Sequence, residues 1–186
     1  ERVIRYAFEL ARKRGRGKKV TLTCKYNMLS ESDGFFRKIG NDIAKEYPDI
    51  EYDTYIIDDF LCRMITKPQL FDVIVTPNLY GDIMSDGAAG LLGGLGLAPS
   101  GCYGEHYAYF ESAHGTAPDI AGQHIINPTA TLLSAAMMLD YLGFGNEAAQ
   151  LNAAIKQVYA DGKVLTVDQG GNAKTYEFCD AVAKLL

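Results

Sequence analysis

An α/β fold is predicted by three features of the sequence. Short apolar runs of strand length, Val73-Ile74-Val75 being the plainest, read as buried strands of the kind parallel sheets use. Between them lie longer segments in which apolar residues recur with helical period, and strands alternating with helices make an α/β architecture. Glycine and proline mark the joints, with no internal repeat and no low-complexity linker.

Taken in order, Val3, Ile4, Ala7, Phe8, Leu10 and Ala11 carry helical periodicity, and Gly15 and Gly17 stop that helix. Val20 to Cys24 alternates apolar residues with Thr and reads as a strand. Asp33 can cap a second helix that runs to about Tyr47 and is closed by Pro48. Tyr52 to Ile57 is the next strand, followed by a short helix from Asp58 to Ile65. After the strand at 73–75, Pro77 and Asn78 end the extended run, and Gly81 with Asp82 opens a helix. Tyr107 to Glu111 reads as a strand. Thr129 to Leu142 is a strongly apolar helix with Pro128 just before it, and Asn146 to Ala160 an Ala-rich one. Asp161-Gly162 and Gly170-Gly171 are turns before a closing helix from Tyr176 to Leu186.

With 186 residues, 48% of them hydrophobic, the chain can bury a core of ordinary size in one or two domains. A net charge of −5 argues against nucleic acid as the main partner. The single basic cluster, Lys13 to Lys19, fits the cationic last turn of a helix better than a binding patch. No apolar run reaches the roughly 18 residues of a membrane span, so no membrane partner is expected. Cys24, Cys62, Cys102 and Cys179 are scattered without a CxxC. That suggests reduced thiols in a reducing compartment: the cytoplasm, with the mitochondrial matrix as the alternative.

Asp82 and Asp86 are four residues apart, which on a helix stacks both carboxylates on one face. Like charges repel there unless a cation sits between them, and hard Mg²⁺ or Mn²⁺ takes such oxygens. The other reading is one Asp favoured by the helix dipole and a second on a solvated face. Lys25 stands at a strand end, usually a solvated place. A lysine works as a general base only where desolvation or nearby positive charge favours its neutral form. Asp58 and Asp59 suit a helix N-terminus.

Longer strings go further. PNLYGDIMSD at 77–86, GLLGGLGLAPSG at 90–101, HGTAPDIAG at 114–122, NPTA at 127–130, KYN at 25–27 and GGNA at 170–173 together resemble the β-decarboxylating dehydrogenases of isocitrate, isopropylmalate and homoisocitrate. The resemblance covers essentially the whole chain and follows the family's order. It implies the isopropylmalate dehydrogenase-like two-domain α/β fold, of which this sequence looks like the C-terminal half. Residues 1–92 would be the later part of the small substrate and dimerisation domain. Residues 93–186 would be the C-terminal part of the large cofactor-binding domain, and the 186-residue piece alone is expected to be inactive.

The resemblance also assigns roles. Lys25 would deprotonate the substrate hydroxyl and Asn27 lie near the nicotinamide, with Tyr26 a departure where relatives more often carry a small residue. Asp82 and Asp86 would hold Mg²⁺ or Mn²⁺ together with Asp58 of the partner subunit, so each site of a homodimer or higher oligomer would be shared. Asp59 stands where relatives often have a small residue and leaves that assignment open by one position. His114, Gly115, Thr116 and Ala117 belong to the loop that wraps the adenosine end of the dinucleotide, and Asn127 resembles the residue that reads adenine. Asp119-Ile120 points to NAD, because Asp119 can accept from both ribose hydroxyls and would repel a 2′-phosphate. No GxGxxG is present, so the cofactor site is not of the Rossmann type. The strings at 111–122, 134–143 and 161–173 look closest to NAD-dependent isocitrate dehydrogenases. Isopropylmalate or homoisocitrate is the alternative substrate, and a non-catalytic regulatory subunit of the same fold the alternative function.

Overall fold

A computed structural model describes residues 1–186, which divide into two compact units, Glu1–Ala88 and Ala89–Leu186. The break between them falls inside a helix, Asn78–Leu92.

The first unit is built on a three-stranded parallel sheet. α1 (Arg2–Arg14) ends at Gly15, whose φ of 61° is the left-handed conformation that closes helices, and Arg12, Lys13 and Arg14 fill its last turn. β1 (Lys19–Cys24) follows and is buried from its second residue onward. Next come α2 (Asp33–Ala44), β2 (Glu51–Ile56), α3 (Ile57–Thr66), β3 (Val73–Val75) and α4 (Asn78–Leu92). The strand order β2-β1-β3 puts β1 at the centre, with Leu22 opposite Thr54 on one side and Val75 on the other.

On one face of this sheet Ile4, Phe8 and Ala11 of α1 join Val20, Leu22, Val73 and Val75 in the core, with Phe8 stacked on Tyr47 at 4.7 Å. α2 approaches closely at Gly40, where a Cβ would collide with the Leu22 side chain and the Tyr52 hydroxyl. A smaller cluster of Phe60, Met64 and Met84 packs with Tyr55 and Phe71.

The second unit holds the end of α4, an antiparallel pair β4 (Pro99–Tyr103) and β5 (Ala108–Ser112), and the helices α5 (Thr129–Tyr141), α6 (Gly145–Asp161) and α7 (Thr175–Ala183). α5 lies against both strands, and the core runs through Ala136, Leu151, Ile155, Val158, Phe178 and Val182. No helix is long and apolar enough to cross a membrane. All four cysteines are free.

Several expectations shift. α4 begins at Asn78, directly after Pro77, rather than at Gly81. α2 stops at Ala44 because residues 44–47 form turns, with Glu46 N–H on the Ile43 carbonyl and Tyr47 N–H on that of Ala44. Asp33 is the first helical residue and not its cap, since its carboxylate is spent elsewhere. β4 went unseen: Pro, Ser and Gly disfavour a strand, and only its pairing with β5 makes one.

Candidate functional site

In the first unit the loops after the parallel strands collect the residues singled out for chemistry. Lys25 follows the last residue of β1, and Asp58 is the second residue of α3, just past β2. Because Cys24 and Ile56 are partners in the sheet, the two side chains meet, with Lys25 Nζ 2.5 Å from Asp58 Oδ1. The hydrogen bond from Lys25, aided by a main-chain N–H, holds the Asp58 carboxyl below the usual carboxylate range. Asp59 is engaged differently, on Arg63 one turn along α3 at 2.8 Å. That leaves Asp58 as the carboxylate beside the lysine.

The main chain at Lys25 is fixed from below. Asp33 is buried, and its Oδ2 accepts the Lys25 N–H at 2.7 Å, while the Lys25 carbonyl accepts from Met28 and Leu29. This brace pins the strand end from which the lysine projects, and sequence reading missed it because Asp33 looks like an ordinary helix start. Asn27 is exposed in the tight turn so formed. Tyr26 does not crowd the lysine side of the turn: its ring lies under the Arg37 guanidinium of α2, 4.1 Å from the ring centre.

Asp82 and Asp86 both stand exposed on α4, one turn apart. Within this chain no third Asp, Glu, His or Cys joins them to complete a metal-binding cluster. Two unneutralised carboxylates on one helix face are hard oxygen donors that fit Mg²⁺ or Mn²⁺, but they supply two positions of the six that such an ion fills. The donors fit the ion while leaving the set open for ligands from outside the chain.

The second unit carries the loop from His114 to Asn127. His114 Nδ1 lies 2.9 Å from the Gly115 carbonyl, to which it donates. Gly115 and Thr116 are exposed, and Ala117 has a left-handed backbone with φ 44°. A non-glycine residue there costs on the order of 1–3 kcal/mol and is usually held by its surroundings. A single 3₁₀ turn, Pro118–Ile120, follows, and Gln123 Nε2 caps it by donating to the Asp119 carbonyl at 3.0 Å. The Asp119 carboxylate itself remains exposed.

Asn127 ends the loop and is 3% exposed. Its Nδ2 donates to Asp168 Oδ2 at 2.9 Å and to the Tyr159 hydroxyl at 3.1 Å, while its Oδ1 accepts the Thr129 N–H at 3.0 Å. Both amide hydrogens are therefore spent, and any reading of a ligand by Asn127 falls to its main chain. Partial desolvation pushes the Asp168 carboxyl up, but hydrogen bonds from Thr166, Asn127 and Gln169 together outweigh it and hold the group, whose side chain is still open to solvent, below its ordinary value. Asp168, Tyr159 and Thr166 were not singled out from the sequence. Asp168 lies 41 residues from Asn127, and nothing local signals that pairing.

Comparison with known proteins bears on the family and the fold. The family model for isocitrate/isopropylmalate dehydrogenase matches residues 1–182. The 3-isopropylmalate/3-methylmalate dehydrogenase of Methanocaldococcus jannaschii is 52% identical over 99% of this chain and 56% of its own. The isocitrate dehydrogenase [NADP] of Rickettsia felis is 52% identical over 100% of this chain and 39% of its own. The crystal structure of isocitrate dehydrogenase from Methylococcus capsulatus superposes with a TM-score of 0.94 at 47% identity, covering 99% of this chain and 55% of that one. The chain thus spans about half the length, or less, of these relatives. Identity at this level along the whole chain, on the same α/β fold, makes it a member of the isocitrate/isopropylmalate dehydrogenase family.

Proposed function

We propose that this chain forms part of a metal-dependent dehydrogenase that oxidises and decarboxylates a 2-hydroxy acid, passing hydride to NAD. The observation that carries the reading is the meeting of Lys25 with Asp58 from 33 residues apart, at the C-terminal edge of a parallel sheet. Ligands bind at that edge in open α/β sheets. When bound, the divalent cation would supply Lewis-acid polarisation of the substrate's oxygens, and the dinucleotide would accept the hydride.

The rest falls to the chain's own residues. Lys25 takes the proton from the 2-hydroxyl when Asp58 is engaged as a cation ligand rather than by the lysine, since the carboxylate beside it otherwise favours the ammonium form, and the Asp33 brace keeps its strand end in place. Asp82 and Asp86 hold Mg²⁺ or Mn²⁺ from one subunit and Asp58 of the partner subunit completes the carboxylate set. Lys25 and Asp58 touch one another, so both serve the site of the partner subunit, while Asp82 and Asp86 serve the site of their own chain. This arrangement requires a symmetric dimer or a higher oligomer containing one. Exposed apolar residues on α3 and α4, among them Ile65 at 54% and Ile83 at 58%, suit the interface. On the cofactor side, Asp119 offers two acceptors to the ribose hydroxyls and repels a 2′-phosphate. Asn127 reads adenine through its main chain. Retention of Lys25, Asp58, Asp82 and Asp86 together argues for a catalytic rather than a regulatory subunit.

Isocitrate is the favoured substrate. Isopropylmalate stands as the second reading, because a relative 52% identical to this chain carries that name. The deciding experiment measures NADH formation by the full-length enzyme with each acid, with and without Mn²⁺, against NADP. Metal-dependent turnover with NAD ahead of NADP is expected. Turnover that ignores the metal, or that prefers NADP, would sink the assignment of the carboxylates or of Asp119 respectively.

A further inference from the structure

The GGNA stretch at 170–173 has no chemistry of its own, yet the structure gives it a definite shape. Gly170 is left-handed with φ 79°. A Cβ on Gly171 would run into the Leu165 carbonyl. Gly171 N–H donates to the Thr166 carbonyl at 3.0 Å and Ala173 N–H to that of Leu165 at 2.9 Å, so the chain doubles back on itself. The turn delivers the start of α7 to the end of the 114–127 loop.

Thr175 is the first residue of that helix, and the N–H of a first helical residue has no partner within the helix. Here it donates to the His124 carbonyl at 2.8 Å. The Thr175 hydroxyl donates to the Ile126 carbonyl at 2.6 Å. Lys174 Nζ lies 3.4 Å from the carbonyl of Gln123. Three carbonyls of residues 123–126 are thus gripped from a single place. His124 needs such a grip, because its φ of 54° is a left-handed conformation that a non-glycine residue keeps only when its surroundings hold it. Ile126 leads directly into Asn127, whose side chain is fixed independently by Asp168.

We propose that Thr175 is a positioning residue for the dinucleotide: by clamping the carbonyls of His124 and Ile126 it holds the cofactor loop in its binding conformation before the ligand arrives. The inference rests on the reading that residues 114–127 bind the dinucleotide. A loop already ordered loses less freedom on binding, so the clamp should act on cofactor affinity and leave the chemical step alone.

The test compares Thr175→Val and Thr175→Ser in the full-length enzyme. Valine keeps the shape and the main-chain bond and removes the hydroxyl. For Thr175→Val, KM for NAD should rise roughly 3- to 10-fold, the worth of one hydrogen bond, with kcat changed less than about twofold. Amide exchange across residues 120–127 of the cofactor-free enzyme should quicken, and Thr175→Ser should restore both readings. Unchanged exchange with unchanged KM would overturn the clamp itself. Faster exchange with unchanged KM for NAD would overturn the proposal through its premise, because the clamped loop would then not be the cofactor's. A fall in kcat with KM unchanged would also overturn it, placing Thr175 with the chemical step.

Discussion

The first unit presents its chemistry as solvent-accessible charges at the ends of strands and helices, whereas the second backs an exposed loop with a polar network whose donors Asn127 and Thr166 are buried. The Lys25 and Asp58 side chains are 31% and 67% exposed. Asn127 and Thr166 are 3% and 0% exposed. Water screens the first pair, and an exposed ion pair adds little to folding. In the second, each buried donor that loses its acceptor costs the full desolvation penalty. Substitutions in the first unit should therefore report on chemistry, and substitutions behind the loop on stability and chemistry together.

The largest effect is expected where the first unit's two sets of groups are separated. Lys25→Ala and Asp82→Asn should each abolish turnover, by at least about 100-fold, since each removes a group acting only on the reacting centre. Mixing the two inactive chains into one dimer gathers both lesions in one site and leaves the other intact. Activity should then return to at most about half of native per mixed dimer. If mixed dimers form and no activity returns, Lys25 and Asp82 do not serve complementary halves of a shared site.

A smaller effect tests the second unit. Asp168→Ala strips the acceptor from Asn127 and from the Thr166 hydroxyl, bonded at 2.9 Å and 2.6 Å. Leaving those donors unmatched should cost about 1–3 kcal/mol. For a chain of this size that lowers Tm by roughly 3–10 °C. The sign with pH follows from the direction of the shift. Asp168 is held below its ordinary value, so its contribution is complete above the unfolded range near pH 4 and is lost as pH falls through the folded value. The Tm gap between native and Asp168→Ala should therefore close in acid. A gap that stays constant down to about pH 2 would show that the carboxylate's charge is not what holds the network.

This contrast also explains what could be read from the sequence. The α/β alternation, the three parallel strands and the i,i+4 placement of Asp82 and Asp86 follow from local periodicity, and the structure has them. The meeting of Lys25 with Asp58 needs strand pairing in register, which no local pattern encodes. Asp33 reads as a cap but serves as a brace, because tertiary geometry gave its carboxylate a better donor than its own helix. The Asn127 network joins residues 127, 129, 159, 166 and 168 through partly buried hydrogen bonds, and Tyr159, Thr166 and Asp168 look unremarkable in their own stretches. β4 was lost because its Pro, Ser and Gly contradict strand propensity, and only a partner strand overrides them.

The smallest effect is the sharpest check on the comparison. Lys25→Met should leave Tm almost unmoved while removing turnover. The lysine's partner is an exposed carboxylate, and the pair gains little in water beyond what each group gains from solvent. Asp58 is held below the usual range by Lys25, so whatever the pair contributes is present at neutral pH and vanishes as acid protonates Asp58. Raising salt should erase it as well, since charges in solvent are screened over about 8 Å at physiological ionic strength. A double-mutant cycle of Lys25→Met with Asp58→Asn, followed by thermal unfolding at low and high salt, measures this coupling directly. Coupling near zero at physiological salt is expected. A Tm drop as large as that of Asp168→Ala would mean that Lys25 is part of what holds the first unit together. Loss of activity in its variants could then no longer be read as loss of a base.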